Sequence, residues 1–218
     1  ESVNKLITIG QTDPSQWRKT TITQRATYLL KASTLLQKNR AQLIGLIINI
    51  TGKTITEADA EISEAIDFTE FYPRSLYNWE ISEQIQSTPI GTGIIISPWN
   101  FPLAIPCGGI VSSLMSGNTT LLKPAPETIP IAIELVKLFW EAGIPQSALQ
   151  IAPITSQKLI SQLIQSKPNT FIIFTGSTAT AKKIRFTSPT TPLYAETGGK
   201  STTIVTDFAD QEQAIQNI

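Results

Sequence analysis

From about residue 89 onward the chain alternates short, continuously apolar runs with segments of helical period, and this alternation narrows the possible folds more than any other feature. Gly93–Ser97 (GIIIS), Thr119–Leu122 (TTLL), Leu149–Ala152 and Thr170–Phe174 (TFIIF) read as strands, with Leu193–Ala195 and Thr202–Val205 as two more. Between them 104–116, 128–142, 156–165 and 177–186 read as helices, and 210–218 opens another. A strand that is apolar at every position has no side to offer water. It belongs in a parallel sheet covered by helices on both faces. The expected fold is α/β, a doubly wound and mostly parallel sheet.

The first part of the chain lacks this texture. Residues 1–20 read as a loosely structured lead-in with a turn at Asp13-Pro14-Ser15. Residues 22–50 read as one helix, since Ile22, Ala26, Leu29, Leu36, Leu43 and Ile47 recur near helical period. Gly52 suits a helix C-terminus, and a second helix follows over about 55–79. Glu57, Asp59, Glu61 and Glu64 put acid near its start, the end of the dipole that favours it. Both helices read as packing elements. No linker divides the chain, so residues 1–218 are expected to form one domain, mainly helical over 1–88 and α/β over 89–218.

Composition removes whole classes of chemistry. The 218 residues include no His and one Cys. That excludes Ser-His-Asp and Cys-His catalysis, a disulfide framework and the usual zinc sites, so no metal centre is expected. Lys+Arg and Asp+Glu are equal at 17 each, which gives no electrostatic footprint for nucleic acid. No apolar stretch approaches the length of a membrane span, and no export signal opens the chain. A single thiol fits a reducing compartment, and a cytoplasmic location is expected.

A doubly wound sheet binds ligands at the carboxyl ends of its strands. The turns expected there read Pro98-Trp99-Asn100-Phe101-Pro102, Lys123-Pro124-Ala125-Pro126, Thr175-Gly176-Ser177-Thr178 and Glu196-Thr197-Gly198-Gly199-Lys200. They offer an amide, an ammonium, a Gly-Ser helix start and a carboxylate. Each has a plainer reading as well. Asn100 could satisfy backbone groups in a Pro-rich turn, and Lys123 could be a solvated charge. Ser177 could be only a helix cap, although free N–H groups at a helix start also suit a phosphate. Glu196 could be an exposed turn carboxylate. No G-x-G-x-x-G is present. Cys107, among apolar residues of a predicted helix, reads as an inert core thiol.

Together the four turns resemble the aldehyde dehydrogenase superfamily, in which PWNFP, GNTTLLKP, FTGST and ETGGK occur in this order. TGKTITEADAEISEAIDF extends the resemblance to the N-terminal helices. TPIGTGIIISPWNFPLAI, FTGSTATAKKI and AETGGK are most similar to 1-pyrroline-5-carboxylate (glutamate γ-semialdehyde) dehydrogenases, including the dehydrogenase part of bifunctional proline-catabolic enzymes. The resemblance implies a Rossmann-like domain that binds NAD or NADP. It implies that Asn100 donates to an oxyanion and that Glu196 is the general base. Lys123 would bond the adenine-ribose hydroxyls, and Gly176 and Ser177 would approach the pyrophosphate. Ser97, Pro98 and Trp99 would line the nicotinamide side.

The resemblance also implies what is missing. The family's nucleophilic Cys follows the Glu by roughly thirty to thirty-five residues, beyond Ile218 here. Cys107 does not match that motif. The family's catalytic domain would lie further on still. The chain is therefore expected to be a truncated cofactor-binding part, inactive alone, of an enzyme whose partners are the nucleotide and a small aldehyde. The last residues, DQEQAIQNI, open a helix without a C-cap, which favours this over a finished terminus. The alternative is a stand-alone, non-catalytic module for nucleotide or protein binding. A glutamyl phosphate reductase relative fits PWNFP and ETGGK less well. Pro126 stands where the family usually has a ribose-binding Glu, and residues 151–156 carry no Gly, so adenosine binding and preference for NAD are both expected to be altered. Exposed apolar surface is expected to allow a homo-oligomer.

Overall fold

The computed structural model describes residues 3–81, 87–165 and 168–217. Residues 1–2 of the expected lead-in, 82–86 of the helical part and Ile218 of the last helix lie outside them. Five strands, β1 (Thr92–Ile96), β2 (Thr119–Lys123), β3 (Leu149–Ile151), β4 (Thr170–Gly176) and β5 (Leu193–Thr197), form one sheet in the order β3-β2-β1-β4-β5. Every pairing between them is parallel. The α/β expectation therefore holds.

Successive side chains of a strand face opposite ways, and the core divides accordingly. Ile95 of β1 and Leu122 of β2 face one layer, built from α2 (Ile22–Lys38), α3 (Arg40–Thr51), α4 (Ile55–Ile81), α5 (Ala104–Met115) and α6 (Ile129–Glu141). Leu29, Leu36, Leu43, Ile62, Leu114 and Phe139 fill it. Ile94, Ile96, Leu121, Ile172 and Phe174 face the other layer, built from α1 (Val3–Thr12), α7 (Gln157–Ile164) and α8 (Thr178–Thr187). A last helix, α9 (Gln211–Asn217), follows an exposed segment.

Three expectations need correction. The lead-in is a regular helix, α1, because Val3, Leu6, Ile7 and Gly10 share a buried face at helical spacing. Its backbone is tied down by Gln150, whose Nε2 donates to Leu6 O at 3.0 Å. The turn expected at Asp13 is present. Its carboxylate accepts the N–H groups of Trp17 and Arg18, each at 2.9 Å. Second, the helix expected over 22–50 is two helices joined at Asn39. That residue ends α2 and starts α3, and its side-chain amide donates to Leu35 O at 2.9 Å. Leu35 O also accepts the Asn39 backbone N–H at 3.0 Å, so the side-chain amide is a second donor to a carbonyl of the last turn of α2. Third, Thr202–Val205 has no regular secondary structure and pairs with no described strand. Its composition suits a strand, yet a strand exists only as part of a ladder.

Thr21 and Gln24 close a reciprocal capping box on α2, which the sequence reading passed over. Gly52 ends α3 at φ 75°, a conformation that costs any residue with a Cβ. Phe139, with no exposed surface, is an anchor of the larger core layer. Truncation of Phe139 to Ala is expected to cost about 3–5 kcal/mol, against about 1 kcal/mol for Thr21→Ala, read from urea unfolding midpoints.

Candidate active site

The strand order reverses at β1. The chain runs outward through β2 and β3, then returns to place β4 on the other flank of β1. The segment after β1 enters α5 on one face of the sheet, while the segment after β4 enters α8 on the other. The two segments part at the carboxyl edge and leave a crevice, where this architecture binds ligands.

The register fixes which residues border that crevice. Lys123, Ile96, Phe174 and Ala195 stand in one row across β2, β1, β4 and β5. Ser97 follows Ile96, and Thr175 pairs with Glu196 one position further along. Lys123, Ser97 and Glu196 thus lie within one residue of a common row. Three strand spacings separate β2 from β5, about 14 Å, which suits an extended ligand.

The groups differ sharply in environment. Ser97 is 5% exposed, and its N–H donates to Lys123 O at 3.3 Å. Its hydroxyl oxygen is buried and has no hydrogen-bond partner among the described residues. Lys123 is 8% exposed, which removes the solvated-charge reading. Its ammonium makes no hydrogen bond or ion pair with a described residue. Burial pushes its pKa down, and the charge of Glu127 pulls weakly the other way. A buried hydroxyl without a partner, beside a largely buried lysine that makes no ion pair with a described residue, fits a ligand rich in hydroxyl and phosphate oxygens.

Gly176 ends β4 where a Cβ would come within 2.7 Å of the Phe174 ring. Ser177 caps α8. Its Oγ accepts from Thr180 N at 3.2 Å and lies 2.9 Å from Thr180 Oγ1. The cap reading of Ser177 is thus met, while the other first-turn N–H groups have no intrahelical acceptor. Pro98 is half-buried, whereas Trp99, Asn100 and Glu196 are exposed. The Asn100 amide makes no hydrogen bond with a described residue, so it does not serve the turn's own backbone.

Sequence reasoning missed two residues here. Glu61, 1% exposed, accepts at Oε1 from the N–H groups of Leu103 (2.8 Å) and Ala104 (3.2 Å). Its Oε2 lies 2.6 Å from Lys53 Nζ, which also sits 3.9 Å from the centroid of the Phe101 ring. The sequence reads Glu61 as acid serving its own helix, but it serves the start of α5. The available signal was its place among Ala58, Ile62 and Ala65, a buried stripe at helical spacing.

Cys107 reads as expected. It is fully buried, its Sγ donates weakly to Ala65 O at 3.5 Å, and burial pushes the thiol pKa far up. The described residues contain no cluster of three or more His, Cys, Asp or Glu suited to a metal ion. No described helix is long and apolar enough to cross a membrane.

Residues 1–218 match the family described as Aldehyde dehydrogenase family. The chain belongs to that family. The 1-pyrroline-5-carboxylate dehydrogenase of Anoxybacillus flavithermus is 35% identical over 220 residues, which cover 93% of this chain and 43% of that protein. The enzyme of the same name from Bacillus cereus is 33% identical over 236 residues, 100% of this chain and 46% of the relative. The chain therefore spans about half the length of the curated relatives it matches. Among solved structures, 1-pyrroline-5-carboxylate dehydrogenase of Thermus thermophilus matches with TM-score 0.84 and 29% identity, covering 91% of this chain and 42% of that one. Proline utilization A of Corynebacterium freiburgense matches with TM-score 0.83 and 34% identity, covering 91% and 20%.

The burial of Lys123 has a measurable consequence. Its folded-state pKa lies below the unfolded value, so the unfolded chain binds more protons between the two. Wild-type stability therefore gains from Lys123 as pH rises through that window. Lys123→Met is expected to melt at a higher temperature than wild type at pH 7. That advantage should shrink as pH approaches the ordinary lysine range, read from parallel thermal melts.

Proposed function

We propose that this chain is the cofactor-binding portion of an NAD(P)-dependent aldehyde dehydrogenase acting on glutamate γ-semialdehyde. The observation that carries this is the row of Lys123, Ser97 and Glu196 across the carboxyl edge of the sheet, in a chain of this family. The names of its relatives motivate the substrate.

In this reading Lys123 and the Ser97 hydroxyl bind the sugar-phosphate part of the cofactor. The close-packed Gly176 and the start of α8 receive the pyrophosphate. Bound NAD(P) supplies a hydride acceptor. Asn100 donates its amide to the oxygen that becomes negative in acyl transfer, and Glu196 accepts a proton from the attacking group. Cys107 cannot be the nucleophile, since a buried thiol with a raised pKa is neither ionised nor reachable. The 218-residue chain is therefore expected to bind cofactor without turning over aldehyde. Calorimetric titration is expected to show saturable NAD(P) binding, weakened about tenfold by Lys123→Met. Absence of heat would sink the reading. So would dehydrogenase turnover by the chain that Asn100→Ala or Glu196→Ala abolishes.

A second reading, a non-catalytic nucleotide-binding module, draws on the same crevice and on the buried Cys107. It differs only in physiological role. Turnover by the full-length protein carrying this chain would exclude it.

Cofactor preference follows from Pro126. It occupies the short turn after β2 where the resemblance places a ribose-binding carboxylate, and Glu127 beside it is exposed. Without that carboxylate the repulsion of a 2′-phosphate is reduced to that of exposed Glu127, and Lys123 attracts one. NADP is expected to bind more tightly than NAD in the same titration. Equal or tighter binding of NAD would count against this.

A further inference from the structure

Asn100 is useful only if its amide points consistently at one place, and it has no hydrogen bond of its own to hold it there. Its direction must come from the backbone of the turn. That turn leaves β1 at Ser97, where the N–H is fixed to Lys123 O, and re-enters regular structure at α5. We propose that the Lys53–Glu61 ion pair is a positioning device that fixes the downstream end of this turn and so aims Asn100. The assignment rests on the functional reading given above for Asn100.

Helix α5 has no cap from its own sequence, since the residue at its N-cap is Leu103. Its first N–H groups are instead met by the carboxylate of Glu61, from 42 residues earlier in the chain. A Ser at position 103 would cap the helix without burying a charge. The chain instead buries a carboxylate and pairs it with a partly buried lysine, an arrangement that costs desolvation unless the geometry is good. The geometry is good here. One carboxylate oxygen takes two N–H groups, the other takes the ammonium, and the ammonium rests on Phe101. Phe101 directly follows Asn100, and Leu103 lies two residues further on. A local cap would hold the helix alone, whereas this pair also holds the residue next to Asn100. It thereby links the turn between α3 and α4 to the rim of the crevice.

Native-state hydrogen exchange on the 218-residue chain tests this, with urea midpoints and NADH titrations measured alongside. Lys53→Met is expected to speed exchange of the Leu103 and Ala104 amides, which Glu61 holds, about tenfold beyond what any loss of global stability explains. It is expected to weaken NADH binding about threefold, because Ser97 to Trp99 line the same turn. Lys53→Arg should restore both values, since it keeps the cation. Phe101→Leu, which leaves the ion pair intact at an exposed ring, should speed the same amides to a smaller degree. The proposal is overturned if exchange of these two amides stays at the wild-type rate or rises only in step with global unfolding. It is likewise overturned if Lys53→Arg behaves as Lys53→Met does. If wild type shows no NADH binding while the exchange pattern appears as expected, the clamp stands, and the role given to Asn100 falls with the cofactor reading.

Discussion

The arrangement depends on one constraint: a parallel sheet has no face it can leave in water. Ile94, Ile95 and Ile96 are all buried although they point alternately up and down, so both layers of helices must be supplied. A chain can supply two layers with parallel strands only by winding outward one way and then the other. The reversal at β1 is the geometric result of that need. The crevice is therefore not an addition to the fold. It is the place where the two winding directions separate, and whatever follows β1, β2, β4 and β5 in sequence is delivered to its edge.

Charge burial follows a division of labour around that edge. Glu61 is buried but has three donors around its carboxylate, two N–H groups and an ammonium. Its desolvation cost is offset within the fold, and it behaves as structure. Lys123 is largely buried and has no comparable partner, only the pull of the charge on exposed Glu127. Little within the fold offsets that cost. A buried group that the protein leaves unsatisfied is a better indicator of ligand contact than a buried group it satisfies.

Much of this was legible in the sequence, and the reasons are local. The run GIIIS announces a strand buried on both faces whatever surrounds it. Gly52 announces a helix end. The positions of Ser97, Asn100, Lys123 and Glu196 follow from strand ends alone. What escaped depends on partners distant in the chain. Asn39 divides a helix although the apolar period runs through it, and both halves pack against α4 and α6. Thr202–Val205 has the composition of a strand, but whether it joins a ladder is decided by what lies beside it. Glu61 looked like one acid among several near the start of α4, and only the approach of α5 gives it a role. The plain readings of Lys123 and Cys107 show the same limit, since burial is a property of the folded neighbourhood. For Cys107 the apolar sequence context was enough, and for Lys123 it was not.

The exposure of the site residues separates binding from chemistry. Lys123 and Ser97 are already dry, so an electrostatic or hydrogen-bond contact there acts at nearly full strength. Asn100 and Glu196 stand in water, and Trp99 beside Asn100 is 62% exposed. A donor surrounded by solvent stabilises a developing oxyanion little better than water does, because its dipole is screened and competes with mobile donors. On the proposed reading, the cofactor contacts are preorganised by the fold of this chain, whereas Asn100 and Glu196 need a cover that excludes water before their placement becomes catalytic. Nucleotide binding and aldehyde oxidation would then make different demands on the same crevice. Burial would serve the first demand, and geometry alone would serve the second.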